Sequence, residues 1–325
     1  MKKLSVFFFA LFLVLPLLLL SCKKNDSLPD DDYTINIKTL AGPTGMGMAK
    51  LMEDSQNGKN YVFTVAQNPQ DIQADIVKGD FDIAALPINL ASALYEKTNH
   101  SFKIAAINTL GVLYILENGD TIKDVKDLAG KTVFCFGQGS TPEYTLRYIL
   151  KENSIDPDSD IDIQFVTDQT ELTAKMASSA IKTAMLPEPS VSAVLQKNND
   201  IRIALDITKE WDKVSDQTLF QGCIVVNNSM IRNHPDALKS FLDDYKASVE
   251  FIKTDDSASS LVVKHGIIPN EAVAKSAIPN SNICYIDGEE MKSLTVNMLE
   301  ILYSENPKSI GGKLPDENFY YQQQK

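Results

Sequence analysis

The chain has 325 residues, 44% of them hydrophobic and 23% charged, and its 43 acidic side chains outnumber 31 basic ones to give a net charge of −12. This length is enough for two ordinary globular domains. The acidic balance argues against a nucleic-acid partner, because nucleic-acid phosphates require a basic protein face. It also argues against nonspecific attraction to an anionic membrane surface.

The N-terminus predicts an export signal over residues 1–21. Lys2 and Lys3 precede an apolar stretch from Leu4 to Leu20, the basic start and apolar core of a secretory signal. The alternative is a single membrane-spanning helix, which needs roughly 20 apolar residues. The run is at this short limit, and Pro16 interrupts it.

The segment Leu19-Leu20-Ser21-Cys22 resembles a bacterial lipobox. The resemblance implies that Cys22 becomes the lipidated N-terminus of an exported protein, anchored to the cell membrane at its periplasmic or extracellular face. Residues 22–33 are charged and poor in apolar side chains, which predicts a tether that does not pack. The choice between inner-membrane and outer-membrane anchoring stays open.

The other cysteines and the histidines predict neither a metal site nor a redox motif. Cys135, Cys223 and Cys284 lie in or beside apolar runs without a close pair, which favours buried free thiols. A disulfide between Cys135 and Cys223 stays open, because an exported protein meets an oxidising compartment. The three histidines are far apart in the sequence, and neither a metal nor a cofactor is expected.

Strand-like and helical patterns alternate along most of the chain, which predicts an α/β architecture. The strands predicted up to residue 117 are Ile35–Leu40, Tyr61–Val65, Phe81–Leu86, Lys103–Ile107 and Val112–Glu117. Those predicted from there to residue 206 are Thr132–Phe136, Ile161–Val166, Thr183–Leu186 and Ile201–Asp206. Both blocks follow one order, in which a strand leads through a glycine turn into a helix.

Beyond residue 222 the pattern changes to one strand and then helices alone. A long amphipathic helix is predicted near Pro235, followed by helices over Glu271–Ala277 and Glu289–Tyr303. Helices without strands of their own must pack on an earlier sheet, which we expect to be that of the first block. The predicted domains are one discontinuous lobe over 34–114 and 222–325 and a second lobe over 115–221, joined by two crossings that form a hinge.

Two glycine-rich turns from strand to helix indicate a binding site for an anionic group. In Gly137-Gln138-Gly139-Ser140-Thr141-Pro142, proline suits the first helical position and makes Thr141 the predicted N-cap. The N–H groups of a first helical turn hold oxyanions, and the hydroxyls of Ser140 and Thr141 add donors. Gly42-Pro43-Thr44-Gly45-Met46-Gly47 has the same build. An ordinary helix start is the alternative interpretation of each turn.

Two further turns follow strands, Ala85–Asn89 in the first block and Leu186–Pro189 in the second. In the former, Asn89 is the predicted cap of a helix that begins at Leu90. Ligands of open α/β sheets bind outside the carboxyl ends of strands. The four turns are therefore predicted to surround one site between the lobes.

Four segments resemble the solute-binding proteins of ABC importers, of the nitrate, sulfonate and taurine group: INIKTLAGPTGMGMAKLM, FDIAALPINLAS, VKDLAGKTVFCFGQGSTPEYTLRYIL and MLPEPSVSAVL. The stretch Lys126-Asp127-Leu128-Ala129-Gly130-Lys131 is characteristic of this group, and the similarity covers most of the chain from about Thr34. The resemblance implies the two-lobed type II periplasmic-binding-protein fold, with a mixed sheet flanked by helices in each lobe and two hinge crossings. It also implies a receptor that closes on a small-molecule solute and passes it to an ABC permease with its ATPase. A monomer is expected.

The resemblance carries ligand contacts onto the four turns and two further positions. The candidate ligand-binding residues are Pro43, Thr44, Gly45 and Met46, then Pro87 and Asn89, then Gly139, Ser140 and Thr141, then Glu188, and finally Trp211 and Gln221 in segments that border the cleft. No arginine or lysine lies in these turns, and a buried charge without a partner is costly. This favours a solute with at most one acidic group, sulfonate- or taurine-like, or a neutral pyrimidine-like ring. Glu188 either binds an amine or caps the next helix, and Trp211 either stacks on a ring or is an ordinary core residue.

An enzyme is the alternative from another class, because the same fold hosts menaquinone-pathway lyases and a pyrimidine synthase that consumes its own histidine. The export signal and the lack of a nucleophile–base pair or a histidine at the turns argue against catalysis. A surface lipoprotein for sensing or adhesion is a further alternative. The identity of the solute and of the permease stays open.

Overall fold

The computed structural model describes residues 33–322 and shows two β-sheets flanked by helices. The predicted signal, the lipidation site Cys22 and the tether up to residue 32 lie outside the described residues. Over residues 33–322, no helix combines the length and the apolar character that crossing a bilayer requires.

The first sheet has six strands in the spatial order β11-β4-β10-β3-β1-β2. Its strands are β1 (Ile35–Leu40), β2 (Tyr61–Ala66), β3 (Ile83–Pro87), β4 (Phe102–Leu110), β10 (Phe220–Asn227) and β11 (Ile283–Ile286). The sheet is mixed: β1 is parallel to β2 and β3, whereas β10 runs antiparallel to both of its neighbours.

The second sheet has five strands in the order β7-β6-β8-β5-β9. Its strands are β5 (Leu113–Asn118), β6 (Thr132–Phe136), β7 (Asp162–Val166), β8 (Thr183–Pro187) and β9 (Ile201–Asp206). It is also mixed, because β6 is parallel to β7 and β8 while β5 is antiparallel to β8 and β9. The predicted α/β class with a mixed sheet in each of two lobes is confirmed.

The helices cover both sheets. They are α1 (Pro43–Met46), α2 (Ala49–Gln56), α3 (Pro69–Lys78), α4 (Ile88–Lys97), α5 (Thr141–Glu152), α6 (Gln169–Ala177), α7 (Ser190–Lys197), α8 (Ile207–Asp212), α9 (Asn228–Asn233), α10 (Pro235–Thr254), α11 (Ala258–Lys264), α12 (Glu271–Ala277) and α13 (Gly288–Glu305). Short 3-10 turns lie at Val125–Leu128, Ile278–Asn280, Pro307–Ile310 and Glu317–Phe319.

Apolar stripes on the late helices hold them on the first sheet. The buried residues of α10 recur at helical spacing, as in Leu238, Phe241, Leu242 and Tyr245, and they pack with the strand residues of one face of that sheet. Fully burying such a side chain contributes about 1.5–3 kcal/mol. On the other face, α13 shares a core cluster with α4 and β4 that continues into the second sheet. The two lobes are therefore joined by a continuous apolar core.

The chain changes sheets twice. It leaves β4 at Leu110 and enters β5 at Leu113, and it returns after α8 through residues 213–219 into β10. These crossings differ slightly from the predicted boundaries, because residue 114 already belongs to β5 and residue 221 to β10. The cysteines within residues 33–322 are free: Cys135 lies in β6 of the second sheet and Cys223 in β10 of the first, both buried.

The expectation that the late helices bring no strand of their own is wrong. Ile283–Ile286 forms β11 and pairs antiparallel with β4 at the edge of the first sheet. A run of four residues is too short to show the alternation by which strands are recognised in a sequence.

Two predicted helix caps are displaced. The N-cap of α5 is Ser140, with extended backbone (φ −128°), so Thr141 is already helical and Pro142 takes the second position. Helix α4 begins at Ile88, directly after Pro87, which leaves Asn89 inside the helix with its side chain available for another contact. In both cases the extended residue that ends the preceding turn serves as the boundary.

Candidate functional site

The glycine-rich turn between β6 and α5 is built on two left-handed glycines, Gly137 (φ 84°) and Gly139 (φ 76°). A side chain is strained in that conformation, whereas glycine adopts it freely. The hydroxyl of Ser140 turns back and donates to the carbonyl of Gly137. The predicted hydroxyl donor at Ser140 is thus used within the turn.

The side chain of Glu143 in α5 accepts a hydrogen bond from the backbone of the same turn. The backbone N–H of Gly139 donates to Oε2 of Glu143 at 2.6 Å, and Nε of Arg147 donates to Oε1 at 3.0 Å. Glu143 is 8% exposed in relative terms. A carboxylate of the chain itself therefore takes the backbone donor of Gly139, directly before the first helical turn at which the sequence predicts an oxyanion of a ligand. Sequence reasoning missed this residue, although a glutamate three residues after a Ser/Thr cap is a known capping signal.

A buried hydrogen bond joins two of the predicted turns across the two lobes. The Thr141 hydroxyl at the start of α5 donates to Oδ1 of Asn89 at the start of α4, at 3.0 Å. Thr141 is 1% exposed and Asn89 is 9% exposed. The starts of these two helices, one from each lobe, are thus in direct contact.

The other two turns also meet. A Cβ built on Gly42, whose φ is 82°, would lie 3.6 Å from Cδ of Pro189. In the same turn, the carbonyl of Thr44 accepts from Nδ2 of Asn108 at 2.9 Å. Gly45 packs against its own strand, because a Cβ there would lie 1.9 Å from the carbonyl oxygen of Leu40. Met46 is fully buried in the core beneath.

Glu188 is a buried carboxyl group, with 1% relative exposure. It accepts from the N–H of Ser192 at 3.1 Å and from the Ser192 hydroxyl at 3.0 Å, so it serves the start of α7. Burial raises its pKa to about 7, while hydrogen bonds from Ser192 and from the Asn280 side chain act in the opposite direction. The contact with Asn280 reaches the lobe of the first sheet.

Trp211 lies away from the turns. It is fully buried, its ring lies 4.8 Å from that of Tyr148, and its indole N–H donates to the carbonyl of Gln217 at 2.5 Å. Gln221 lies in β10 beside Gly222, which pairs with Pro87. Nε2 of Gln221 is buried and has no hydrogen-bond partner within residues 33–322. A buried amide nitrogen without a partner is uncommon in a folded protein.

Further contacts between the lobes involve residues that the motifs do not mark. The hydroxyl of Tyr114 in β5 donates to the carbonyl of Asn280 at 3.1 Å. Nδ2 of Asn306 donates to the Tyr144 hydroxyl at 2.7 Å. Over residues 33–322, no group of three or more histidine, cysteine, aspartate or glutamate side chains is arranged to hold a metal ion.

The model of the family described as "NMT1/THI5 like" matches residues 64–258. The chain resembles the crystal structure of an ABC transporter from Parabacteroides distasonis, with 25% identity, a TM-score of 0.76, and coverage of 90% of this chain and 100% of the other. It also resembles the periplasmic aliphatic sulphonate binding protein SsuA from Escherichia coli, with 15% identity, a TM-score of 0.71, and coverage of 90% and 92%.

A further likeness is to the periplasmic nitrate-binding protein NrtA from Synechocystis PCC 6803, with 13% identity, a TM-score of 0.60, and coverage of 85% of this chain and 84% of the other. No curated protein sequence matches the chain significantly. At identities below 25%, such likenesses show the fold alone. That fold is the two-lobed α/β fold of periplasmic binding proteins.

Proposed function

The chain belongs to the NMT1/THI5-like family, and from this we propose that it is an extracytoplasmic solute-binding receptor of an ABC importer. The receptor captures a small organic solute in the cleft between its lobes and closes over it. The solute is then passed to a permease that an ATPase drives. Both the sulphonate-binding and the nitrate-binding proteins that it resembles are periplasmic receptors of this fold.

The observation that carries the proposal is the direct contact between turns of the two lobes. Thr141 and Asn89 share a buried hydrogen bond of 3.0 Å, and Gly42 faces Pro189. Such contacts favour the state in which the lobes are together. A solute that touches both lobes stabilises that state further, because only a difference in affinity between two states shifts their equilibrium.

The polar groups near the cleft support a small organic solute with at most one acidic group, sulfonate- or taurine-like, or a neutral pyrimidine-like one. Asn89 and Gln221 contribute amides, and Glu188 contributes a carboxyl group whose pKa of about 7 allows it to accept or donate a hydrogen bond near neutral pH. Thr44 and Ser140 lie in the turns on the two sides. A ring would gain no stacking partner from Trp211, which is buried in the core.

We place the receptor outside the cytoplasm, where a lipid on Cys22 would hold it to the membrane. The export signal and the lipobox resemblance of the sequence support this placement. The tether of residues 22–33 would let the lobes approach the permease.

Catalysis is the weaker alternative, and the described histidines support that ranking. The ring of His100 lies beside Tyr95, that of His234 stacks on Tyr33, and His265 contacts Glu53. In the second sheet, burial raises the pKa of the Cys135 thiol to about 12, which keeps it in the unreactive protonated form. A nucleophile–base pair within hydrogen-bond reach is the usual sign of such catalysis.

Native mass spectrometry of protein purified without refolding tests the proposal. We expect one small molecule per chain, released at higher collision energy, and its mass names the class of solute. Adding that compound back to stripped protein should reduce the radius of gyration in small-angle X-ray scattering. A stripped protein that binds the compound without compaction contradicts closure, and a protein that never carries or binds a solute contradicts the receptor function.

A further inference from the structure

We propose that Glu143 is a specificity-determining residue, whose carboxylate fills the glycine-rich turn before α5 and thereby keeps anionic groups of a solute out of it. The inference rests on the proposed function, because it concerns which solutes the cleft accepts. It departs from the sequence-based expectation, in which this turn receives the acidic group, and of the solutes proposed above it favours the neutral ones over the sulfonate-like ones.

The geometry of Glu143 is that of a bound anion. Its Oε2 accepts the Gly139 N–H at 2.6 Å, and its Oε1 accepts Nε of Arg147 at 3.0 Å. Its side chain is 10% exposed, so little of the carboxylate is left to water. A sulfonate or nitrate oxygen approaching the Gly139 N–H would have to displace this group from both partners.

The charges around the turn oppose a second anion. Arg147 is shared, because its guanidinium also bonds to Asp158 at 2.7 Å. Two carboxylates therefore surround one guanidinium, which leaves one net negative charge. The next cation along α5, Lys151, is paired with Glu305 at 2.7 Å. A solute anion near this turn would therefore be repelled, because no unpaired cation of α5 offsets its negative charge.

The side-chain hydroxyls of the turn are also committed. The Ser140 hydroxyl donates to Gly137, and the Thr141 hydroxyl donates to Asn89. Pro142 has no N–H to offer. The chain thus uses its own hydroxyl donors internally on this side, and the buried carboxyl group of Glu188 already accepts from Ser192. The arrangement suits a solute that presents N–H or O–H donors.

Helix capping alone would also place a glutamate at this position, and the variant Glu143→Gln separates the two roles. Glutamine keeps an oxygen that can accept the Gly139 N–H, but without the charge it holds this donor more weakly than a carboxylate does, so that an added anion can displace it. Glu171 provides a matched control: it also lies in the first turn of its helix and pairs with a lysine four residues on, at 2.6 Å. The control variant is Glu171→Gln.

The test measures binding of methanesulfonate, with sodium chloride at matched ionic strength as the reference. We expect no stabilisation of the wild-type protein or of Glu171→Gln in thermal unfolding, and a clear rise in the unfolding temperature of Glu143→Gln. Its affinity for methanesulfonate should exceed that of the wild type by roughly tenfold or more. The Gly139 amide signal should move in a ¹⁵N–¹H correlation spectrum of that variant during the titration.

Three outcomes overturn the inference. They are wild-type protein that binds methanesulfonate as well as Glu143→Gln does, a folded Glu143→Gln that gains no affinity, and a gain that Glu171→Gln matches. If Glu143→Gln does not fold, titration of the wild type alone decides, because methanesulfonate binding that moves the Gly139 amide contradicts the exclusion. All these measurements are independent of the natural solute, so a failed receptor function is recognised separately by the absence of any co-purified molecule.

Discussion

The buried carboxyl of Glu188 couples the stability of the protein to pH. Its pKa is about 7 in the folded protein, above the ordinary value of 4.5, and burial is the main cause. Between these two values the folded state binds the proton more tightly than the unfolded state. The free energy of unfolding therefore falls as pH rises through this window and levels off above it.

We expect Glu188→Gln to remove this fall. Relative to the variant, the wild type should lose up to about 3 kcal/mol of stability between pH 4.5 and 7, which is the pKa difference expressed as free energy. Urea denaturation of both proteins across that range measures the difference, and other titrating groups cancel because both proteins contain them. Parallel stability curves would contradict the raised pKa. Glu171→Gln, which removes a surface carboxylate, should run parallel to the wild type.

The turns of the candidate site could be predicted from the sequence, but the destinations of their polar groups could not. Gly42, Gly137 and Gly139 have positive φ angles, and glycine next to proline in a sequence is a local signal that predicts such turns. The hydrogen-bond partners of the Ser140 and Thr141 hydroxyls, in contrast, depend on which residues lie nearby in the folded chain. One partner, Asn89, is 52 residues away in sequence.

Helices α4 and α5 connect the lobes through their first turns. Asn89 and Thr141 bond to each other at 3.0 Å, and further along α5 the side chains of Tyr144 and Lys151 contact Asn306 and Glu305. One face of α5 thus carries contacts to the other lobe over most of its length. Separation of the lobes would break these contacts.

A double-mutant cycle should measure the link between the two helix starts. Thr141→Val keeps the shape of the side chain and removes its donor, and Asn89→Ala removes the acceptor. We expect each change to destabilise the protein, with a coupling energy of about 0.5–1.5 kcal/mol between them. Chemical denaturation of the four proteins provides the values. Strict additivity would show that the hydrogen bond contributes nothing to the association of the lobes, and Thr141→Ser should retain it.

The elements with strong local signals were predictable, and the exceptions are those that depend on distant partners. Apolar runs, continuous or alternating, predicted β1 to β10, whereas β11 exists because β4 offers a free edge to four residues. The helical segment that follows β1 is divided into α1 and α2 at Gly47, where Tyr245 of α10 approaches: a Cβ there would lie 2.8 Å from its hydroxyl. A packing constraint of that kind has no local signature.

The junction of the lobes lies beside the only tryptophan of the chain. The indole N–H of Trp211 bonds to Gln217 in the second crossing, and the side chain of Gln217 accepts from Asn297 of α13. Tyr148, which contacts the indole, lines an open surface groove of about 330 Å³ between α5 and α13. Movement of one lobe against the other therefore changes the surroundings of a single fluorophore.

We expect solute binding to change the tryptophan emission of the protein, because rotation of the lobes displaces the Gln217 carbonyl that holds the indole. Titration with the co-purified solute, followed by fluorescence and by calorimetry, checks this. The two methods should give the same affinity, and Asn297→Ala, which frees Gln217, should diminish the optical signal without abolishing the heat. Binding heat without any change in emission would mean that the junction stays rigid.

The first sheet contains strands that come from distant parts of the sequence. Its central strand β10 lies between β3 and β4 but follows them in sequence by more than a hundred residues, whereas all strands of the second sheet lie within residues 113–206. A chain that is synthesised from its N-terminus therefore contains every strand of the second sheet before β10 is available to join β3 to β4 in the first. During synthesis, β10 therefore joins the two parts of the first sheet, and only the edge strand β11 is added after it.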